Sequence, residues 1–314
     1  MNIALTTECN NHCPFCFQNN LHKNPQEMSL DNLNKLIEWG KQSFPGSVSI
    51  LGGEPTLHSK FKEAFEIIYN GFFFAEILLI TNLLGPSEVF HYLSHYNNLH
   101  YLVNISYDEN KKDLFFKNLE IIKDTGSSLA ISITLSSNTQ LNMKYITRLI
   151  SLIQDYSQIK EIRVGLECPQ SYDFDFLEYN YDNEILYLIE ELPKYDHGIY
   201  VHFDCPITLC QLSNKIVNKI NCGETIFQPK INFKCPQPCI DVMPDLSSRY
   251  CFSSSDDFKI DNILDHKDET YLCSYLKNKA NKYKIQNRKC LECKFYLIDC
   301  FPCHAFDEIL KGGN

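Results

Sequence analysis

Three cysteines lie within eight residues near the N-terminus, where Cys9, Cys13 and Cys16 occur in the stretch CNNHCPFC. This CxxxCxxC spacing places three thiolates on one loop, where they can bind the same metal centre. A structural zinc site normally uses four ligands, and the next zinc-like pair of cysteines is hundreds of residues away. Iron–sulfur clusters are bound mainly by closely spaced thiolates, so the spacing favours a cluster with one iron open to an outside ligand. Structural zinc or plain buried thiols are the alternative.

The remaining cysteines are distributed unevenly. Of the 15 in the chain, Cys168 stands alone and is expected to be a buried thiol, whereas eleven fall between Cys205 and Cys303. The N-terminus has no basic stretch before an apolar run, and the most apolar windows are far shorter than the roughly 18 residues of a spanning helix. We therefore expect a cytoplasmic protein. Because cytosolic thiols are kept reduced, metal or cluster binding is favoured over disulfides.

Composition limits the partners. The chain has 314 residues, is 44% hydrophobic and carries a net charge of -10. This length is sufficient to bury one large core and a smaller one. The negative charge argues against a nucleic acid, because phosphate binding needs clustered Lys and Arg. We expect neither a nucleic acid nor a membrane as a partner.

Apolar segments of strand length alternate with helical patterns, so the sequence predicts six β-α repeats. Such alternation indicates a parallel sheet, either open or curved into a barrel, with function at the C-terminal ends of the strands. The cysteine stretch directly follows the first predicted strand. Ser29 and Pro86 are predicted at helix starts and Gly126 just past a helix end. The predicted strands are 2–8, 47–51, 75–81, 100–106, 129–135 and 159–166, and the predicted helices are 29–43, 59–70, 86–96, 112–125 and 141–156.

The cysteine stretch resembles the hallmark of the radical S-adenosylmethionine (SAM) enzymes, CxxxCxφC with an aromatic φ, here Phe15. The resemblance implies a 4Fe-4S cluster whose fourth iron binds SAM. The stretch LGGEPTL at 51–57 is similar to the GGE sequence that this family carries at the end of its second strand. Paired glycines would let the backbone approach the methionine end of SAM, and the acidic residue could accept from its ammonium.

Further strand ends resemble the same family. They are ITN at 80–82 and SYD at 106–108, with Ser106 as a contact to the SAM ribose. The alternative for each is a polar residue satisfied at a strand end. Residues 1 to about 167 are thereby implied to form a partial (β/α)6 TIM-like barrel. The implied cofactor-binding residues are Phe15, Gly52, Gly53, Glu54, Ser106, Thr134 and Arg163.

The stretches CPQPCIDVMPDLSSRYC at 235–251 and CLECKFYLIDCFPC at 290–303 are similar to the SPASM/twitch extensions that bind auxiliary clusters. Leu246 stands where that pattern has a glycine, and its final cysteine is missing after Cys303. The resemblance implies a radical SAM core over 1–204, with barrel repeats followed by a connecting helix and strand, and an auxiliary domain over 205–314. It also implies one or two auxiliary 4Fe-4S clusters, of which two are favoured. A zinc ribbon from Cys235/Cys239 and Cys290/Cys293 is the alternative.

By family analogy, one auxiliary cluster uses Cys235 or Cys239, together with Cys251 and Cys303, and the other uses Cys290, Cys293 and Cys300. The fourth ligand of the second cluster has several candidates. They are Cys205, Cys210, Cys222, Cys273, a residue other than cysteine, or an open iron.

The resemblance implies cleavage of SAM to a 5'-deoxyadenosyl radical that abstracts hydrogen from a substrate. SPASM extensions favour a ribosomal precursor peptide that is crosslinked, epimerised or excised at its backbone. A small-molecule dehydrogenase or a sulfatase-maturing type of enzyme is the alternative, and a non-catalytic iron–sulfur electron carrier is a distant one. The first predicted strand starts at residue 2, so we expect leader recognition by a separate protein. A flavodoxin or ferredoxin would supply electrons.

Overall fold

The structure is a computed structural model, and two compact units are distinguished within it. It describes residues 1–16, 18, 21–43, 45–105, 108–123, 125, 127–167, 179–195, 198–204, 211–221, 240–249 and 259–280. The first unit comprises Met1–Leu129 and Pro238–Ala280, and the second comprises Ala130–Gln237 and Asn281–Asn314.

Strands and helices alternate along the chain from β1 to α6, which confirms the predicted α/β class. All six predicted strands and all five predicted helices are present, with ends within three residues of the prediction. Gly126 lies outside the described residues. No helix in the described part of the chain is long and apolar enough to cross a membrane. The elements are β1 (Asn2–Thr6), α1 (Leu30–Gly40), β2 (Ser47–Gly52), α2 (Phe61–Gly71), β3 (Glu76–Thr81), α3 (Ser87–Leu93), β4 (Leu99–Asn104), α4 (Lys112–Ile122), β5 (Leu129–Leu135), α5 (Thr139–Asp155), β6 (Ile159–Leu166), α6 (Asp182–Glu191), β7 (Tyr200–Phe203), α7 (Asn214–Asn221), β8 (Asp241–Val242), β9 (Ser248–Arg249), β10 (Lys259–Ile260) and α8 (Glu269–Ala280).

The sheet of the first unit has the strand order β10-β9-β8-β1-β2-β3-β4. The strands from β8 through β1, β2 and β3 to β4 run parallel, whereas β8, β9 and β10 pair antiparallel. Side chains in β3 alternate in burial, as expected for a strand. Because the strands are parallel, β1, β2 and β3 end at the same edge of the sheet. The apolar core beside them includes Ile3, Leu5, Leu33, Leu36, Val48, Ile50, Phe65, Ile68, Ile77 and Leu79.

Helix α1 shows how the sequence determines where a helix begins and which of its faces is buried. It begins after Ser29, whose hydroxyl accepts from the backbone N–H of Asn32, as predicted for an N-cap. Leu33, Leu36 and Ile37 recur at helical spacing and are buried. The resulting helix packs its apolar face inward and covers the sheet.

The second unit contains the neighbouring strands β5, β6 and β7, of which β6 and β7 run parallel, together with α5, α6 and α7. A buried carboxylate, that of Glu184, joins α6 to α5 because it accepts from the amide of Asn142 at 2.9 Å. It also accepts from the hydroxyl of Tyr179 at 2.7 Å. These bonds satisfy a charge that would otherwise be costly to bury.

Leu246 occupies an uncommon backbone conformation between β8 and β9. Its φ is 66°, which is the left-handed region that favours glycine, and its side chain is 4% exposed. The turn is closed by two bonds, from the N–H of Leu246 to the carbonyl of Met243 and from the N–H of Met243 to the carbonyl of Ser247. The position that carries glycine in the SPASM pattern thus keeps a glycine-type backbone here, with a buried leucine side chain.

We expect Leu246→Gly to be more stable than Leu246→Ala by about 1 kcal/mol, because both lose the same packing but only glycine removes left-handed strain. Chemical denaturation of both variants measures the difference. At Leu33, buried inside α1, the order should reverse, with glycine less stable than alanine by about 1 kcal/mol. If Leu246→Ala were as stable as Leu246→Gly, or more stable, the left-handed backbone at position 246 would not be strained.

Candidate functional site

The cysteine loop, which carries Cys9, Cys13 and Cys16, leaves the end of β1 and returns beside it. The N–H of Thr7 donates to the carbonyl of Gln26 at 2.9 Å, and the N–H of Met28 donates to the carbonyl of Leu5 at 2.8 Å. The hydroxyl of Thr7 accepts from the N–H of Gln26 at 2.8 Å. The returning segment therefore closes the base of the loop and fixes where residues 8–25 leave the sheet.

Cys9, Cys13 and Cys16 are all half-buried on this loop. Burial raises the pKa of the Cys9 thiol to about 12, and the nearby thiols of Cys13 and Cys16 add to the effect. Burial also raises the pKa of Cys16. Burial thus favours the protonated thiols of Cys9 and Cys16 in the absence of metal, and binding a cluster would release their protons.

Each of these thiols has a nitrogen-bearing side chain beside it. The amide nitrogen of Asn82 lies 3.8 Å from the sulfur of Cys9, and that of Asn11 lies 3.4 Å from Cys13. The Nε2 of His22 lies 3.4 Å from the sulfur of Cys16. These neighbours were missed from the sequence, although Asn82 belongs to the ITN stretch, where it stands just past a strand end.

Gly52 and Gly53 let the end of β2 lie directly against the start of the cysteine loop. A Cβ on Gly52 would lie 2.1 Å from the carbonyl oxygen of Thr6, and one on Gly53 would lie 2.1 Å from that of Glu8. The Cβ on Gly53 would also come within 2.9 Å of the Cβ of Cys9. The same backbones are joined by bonds from the N–H of Gly53 to Thr6 and from the N–H of Glu54 to Glu8. The glycines are therefore required by backbone contact within the protein.

The carboxylate of Glu54 is fully buried and is surrounded by donors from its own chain. One oxygen accepts from the hydroxyls of Thr56 and Thr81 at 2.6 and 2.8 Å, and from the N–H of Thr56 at 3.3 Å. The other accepts from the N–H of Asn82 at 2.7 Å. Burial raises the pKa of Glu54, and these hydrogen bonds oppose the rise. A contact between this carboxylate and the SAM ammonium stays a prediction.

The Glu54 carboxylate and its donors on Thr56, Thr81 and Asn82 are called the Glu54 group below. Asn82 connects this group to the cysteine loop. Its amide donates to the side-chain oxygen of Asn10 at 3.0 Å, and the amide of Asn10 donates to the carbonyl of Leu84 at 2.7 Å. The ammonium of Lys111 also donates to the carbonyl of Asn10. Leu83, next to Asn82, has a φ of 57°, so strained backbone lies at this strand end.

Thr134 and Arg163 lie in the second unit, on β5 and β6. A Cβ on Gly165 would lie 3.6 Å from the hydroxyl of Thr134 and 3.9 Å from the carboxylate of Asp204. The Nε of Arg163 donates to Glu161 at 2.7 Å, and its guanidinium lies 4.0 Å from Asp204. Burial raises the pKa of Asp204, which the Arg163 cation opposes. A cofactor role for Thr134 and Arg163 stays a prediction.

The structure tests the other predicted positions only in part. Phe15 lies half-buried between Cys13 and Cys16 on the loop. Ser106 lies outside the described residues, as does Cys168, and Cys273 lies half-buried in α8. The predicted auxiliary ligands also lie outside the described residues. They are Cys235, Cys239, Cys251, Cys290, Cys293, Cys300 and Cys303, with the candidates Cys205, Cys210 and Cys222.

The donor set around the loop is suited to a thiolate-bound cluster and a polar ligand. Three thiols share one loop, and nitrogen atoms lie close to all three sulfurs. The buried carboxamide of Gln18 has no hydrogen-bond partner in the described part of the chain, which leaves a donor and an acceptor for a bound group. Within the same residues, no three His, Cys, Asp or Glu side chains form a group that could hold a single metal ion.

Residues 3–136 match the protein family described as the Radical SAM superfamily. Residues 3–136 therefore match a radical SAM domain. This domain covers both the cysteine loop and the Glu54 group, and the superfamily implies a 4Fe-4S cluster and SAM as cofactors. This match indicates that the protein is an enzyme. No curated protein sequence matches the chain.

Solved structures with a similar fold include Streptococcus suis SuiB bound to its precursor peptide SuiA. That match has a TM-score of 0.63 and 15% identity, and covers 97% of this chain and 71% of SuiB. Native anSMEcpe with bound AdoMet and the Cp18Cys peptide matches with a TM-score of 0.65 and 17% identity, covering 97% of this chain and 88% of that one. At these identities the matches show a shared fold, that of radical SAM structures.

We expect Gly53→Ala to reduce cluster loading strongly, because its Cβ would push the backbone of Glu8 and the side chain of Cys9 out of place. Iron per chain after anaerobic reconstitution measures the loss. Gly46→Ala is the matched control, since a Cβ there meets nothing within 4 Å. Normal iron content in the Gly53→Ala protein would contradict the contact.

We expect Glu54→Gln to lower the free energy of unfolding by about 1 to 3 kcal/mol, because the new amide would present N–H groups to a site built from donors. Urea denaturation measures this change. Glu63→Gln, on the exposed face of α2, should change stability by less than about 0.5 kcal/mol. If the two variants were equally stable, Glu54 would not have the structural role that its four bonds indicate.

Proposed function

We propose that this enzyme modifies a ribosomal precursor peptide by radical SAM chemistry. The carrying observation is the three-thiol loop lying against a GGE turn inside a matched radical SAM domain. When bound, the cluster and SAM supply a 5'-deoxyadenosyl radical that abstracts hydrogen from the substrate. The reaction on the peptide would be a crosslink, an epimerisation or a backbone excision.

Cys9, Cys13 and Cys16 would hold the cluster, leaving one iron for SAM. The backbone of Gly52 and Gly53 would hold the loop in register, because both lie in contact with its first residues. Phe15 and Gln18 would contribute contacts to SAM from the loop, since both lie next to the cysteines. Ser106, Thr134 and Arg163 remain proposed contacts from the later strands.

The peptide assignment is supported by the proteins that share the fold. SuiB was solved with a precursor peptide and anSMEcpe with a peptide and AdoMet. We propose that this chain also binds a peptide. A separate leader-recognition protein and an electron donor such as flavodoxin or ferredoxin belong to the same proposal, as does a cytoplasmic location. Turnover of a small molecule is the outcome that would oppose it.

The cysteines beyond residue 204 would hold one or two auxiliary 4Fe-4S clusters, with two favoured. Their number follows from the similarity of the sequence to SPASM/twitch extensions. Such clusters could accept the electron that the substrate releases or relay electrons. Cys273 on α8 is the one candidate for a fourth ligand that lies among the described residues.

The test is anaerobic reconstitution followed by incubation with SAM, a reductant and each short peptide encoded beside this gene. We expect about 12 irons per chain, formation of 5'-deoxyadenosine and a change in peptide mass or deuterium content. A loss of about 2 Da indicates a crosslink, and deuterium uptake from heavy water indicates epimerisation.

The control replaces Cys9, Cys13 and Cys16 together by Ala, which should abolish SAM cleavage and leave auxiliary iron bound. Persistent cleavage in that variant would contradict the ligand assignment. An iron content near 4 per chain, or bound zinc, would contradict the assignment of two auxiliary clusters. Turnover of a small alcohol with no modification of any neighbouring peptide would overturn the peptide assignment.

A further inference from the structure

Two asparagine side chains lie against the thiols of the cysteine loop, and both are held there by their other atoms. Asn82 places its amide nitrogen 3.8 Å from the sulfur of Cys9, within reach of an N–H···S hydrogen bond. The oxygen of the same amide accepts from the N–H of Leu84 at 2.7 Å. This bond fixes which end of the amide is the oxygen, so the nitrogen is the end near Cys9.

Asn11 repeats the arrangement at the next cysteine. Its amide nitrogen lies 3.4 Å from the sulfur of Cys13, while its oxygen accepts from the N–H of His12 at 3.1 Å. Asn11 is 6% exposed and Asn82 is 7% exposed, so water competes little for either amide. Both donors are therefore held in place before any cluster binds.

We propose that Asn82 and Asn11 donate N–H···S hydrogen bonds to two cysteine ligands and raise the reduction potential of the SAM-binding cluster. This inference rests on the proposed function, because it requires the cluster at Cys9, Cys13 and Cys16. Reduction adds one electron to the cluster, so the reduced form carries more negative charge on its sulfurs. A donor directed at a sulfur stabilises that form more than the oxidised one, and hydrogen bonds to sulfur are a known determinant of cluster potential.

Glu54 acts on the same cluster through Asn82. Its carboxylate accepts from the N–H of Asn82, and that bond positions the residue whose side chain meets Cys9. The Thr81 hydroxyl bridges the arrangement, since it donates to Glu54 and accepts from the N–H of Leu83 at 3.0 Å. Glu54 is thus a positioning residue for a sulfur donor.

The experiment compares the reconstituted full-length protein with Asn82→Ser and Asn11→Ser. A serine adds no charge, can still accept from a nearby N–H and is too short to reach the sulfur. Reduction potentials are measured by redox titration followed by electron paramagnetic resonance, on the signal that changes when SAM is added. We expect each variant to shift this potential downward and the double variant to shift it further.

The matched control is Asn118→Ser. Asn118 donates to the carbonyls of Leu83 and Gly85, so it supports the same strand end and touches no thiol. Its potential should stay near that of the unchanged protein. A shift as large as that of Asn82→Ser would assign the effect to loop disturbance and overturn the proposal.

A second measurement needs no variant. Asparagine is labelled with ¹⁵N at its side-chain amide alone in the unchanged protein, and pulsed resonance on the reduced cluster should show ¹⁵N coupling from the amides near Cys9 and Cys13. Absence of that coupling in a protein with a SAM-responsive signal would contradict the N–H···S bonds and leave the proposed function intact. Absence of any SAM-responsive signal would instead contradict the cluster assignment itself.

Discussion

The buried carboxylate of Glu54 is the constraint on which the candidate site depends. A buried negative charge is costly unless its oxygens are hydrogen-bonded, and here four donors from Thr56, Thr81 and Asn82 surround them. These donors lie on the turn after β2 and at the end of β3. Satisfying one charge therefore fixes two strand ends relative to each other, and through Asn82 it also fixes the side chain nearest Cys9.

The fold could be predicted from the sequence because its signals are local and repeated. Burial at helical spacing in α1 and strand-length apolar runs such as 129–135 are visible without tertiary information. Strict alternation then implies parallel strands with a common functional edge. The cysteine spacing, placed after β1, was sufficient to indicate a cluster loop at that edge.

The inner arrangement of the site could not be predicted, because it depends on contacts between residues far apart in sequence. Approach of the paired glycines to SAM stays a prediction, and the structure adds that a Cβ on either would meet the backbone of Thr6 or Glu8. Binding of the SAM ammonium by Glu54 stays a prediction, whereas its hydrogen bonds to Thr56, Thr81 and Asn82 were not foreseen. Leu246 is a further example, since the sequence alone does not reveal that a leucine adopts the left-handed backbone conformation at this turn.

The surroundings of the thiols suit the cluster-bound protein better than the free one. A neutral thiol is a weak acceptor, so an amide N–H directed at it contributes little, whereas a thiolate accepts strongly. Burial raises the pKa of Cys9, so without a cluster its thiol stays protonated and the donor of Asn82 is poorly matched. Once iron displaces the proton, the same donor faces an anionic sulfur. The hydrogen bonds of the loop are therefore pre-organised for the loaded state, and their stabilising effect appears only when the cluster is bound.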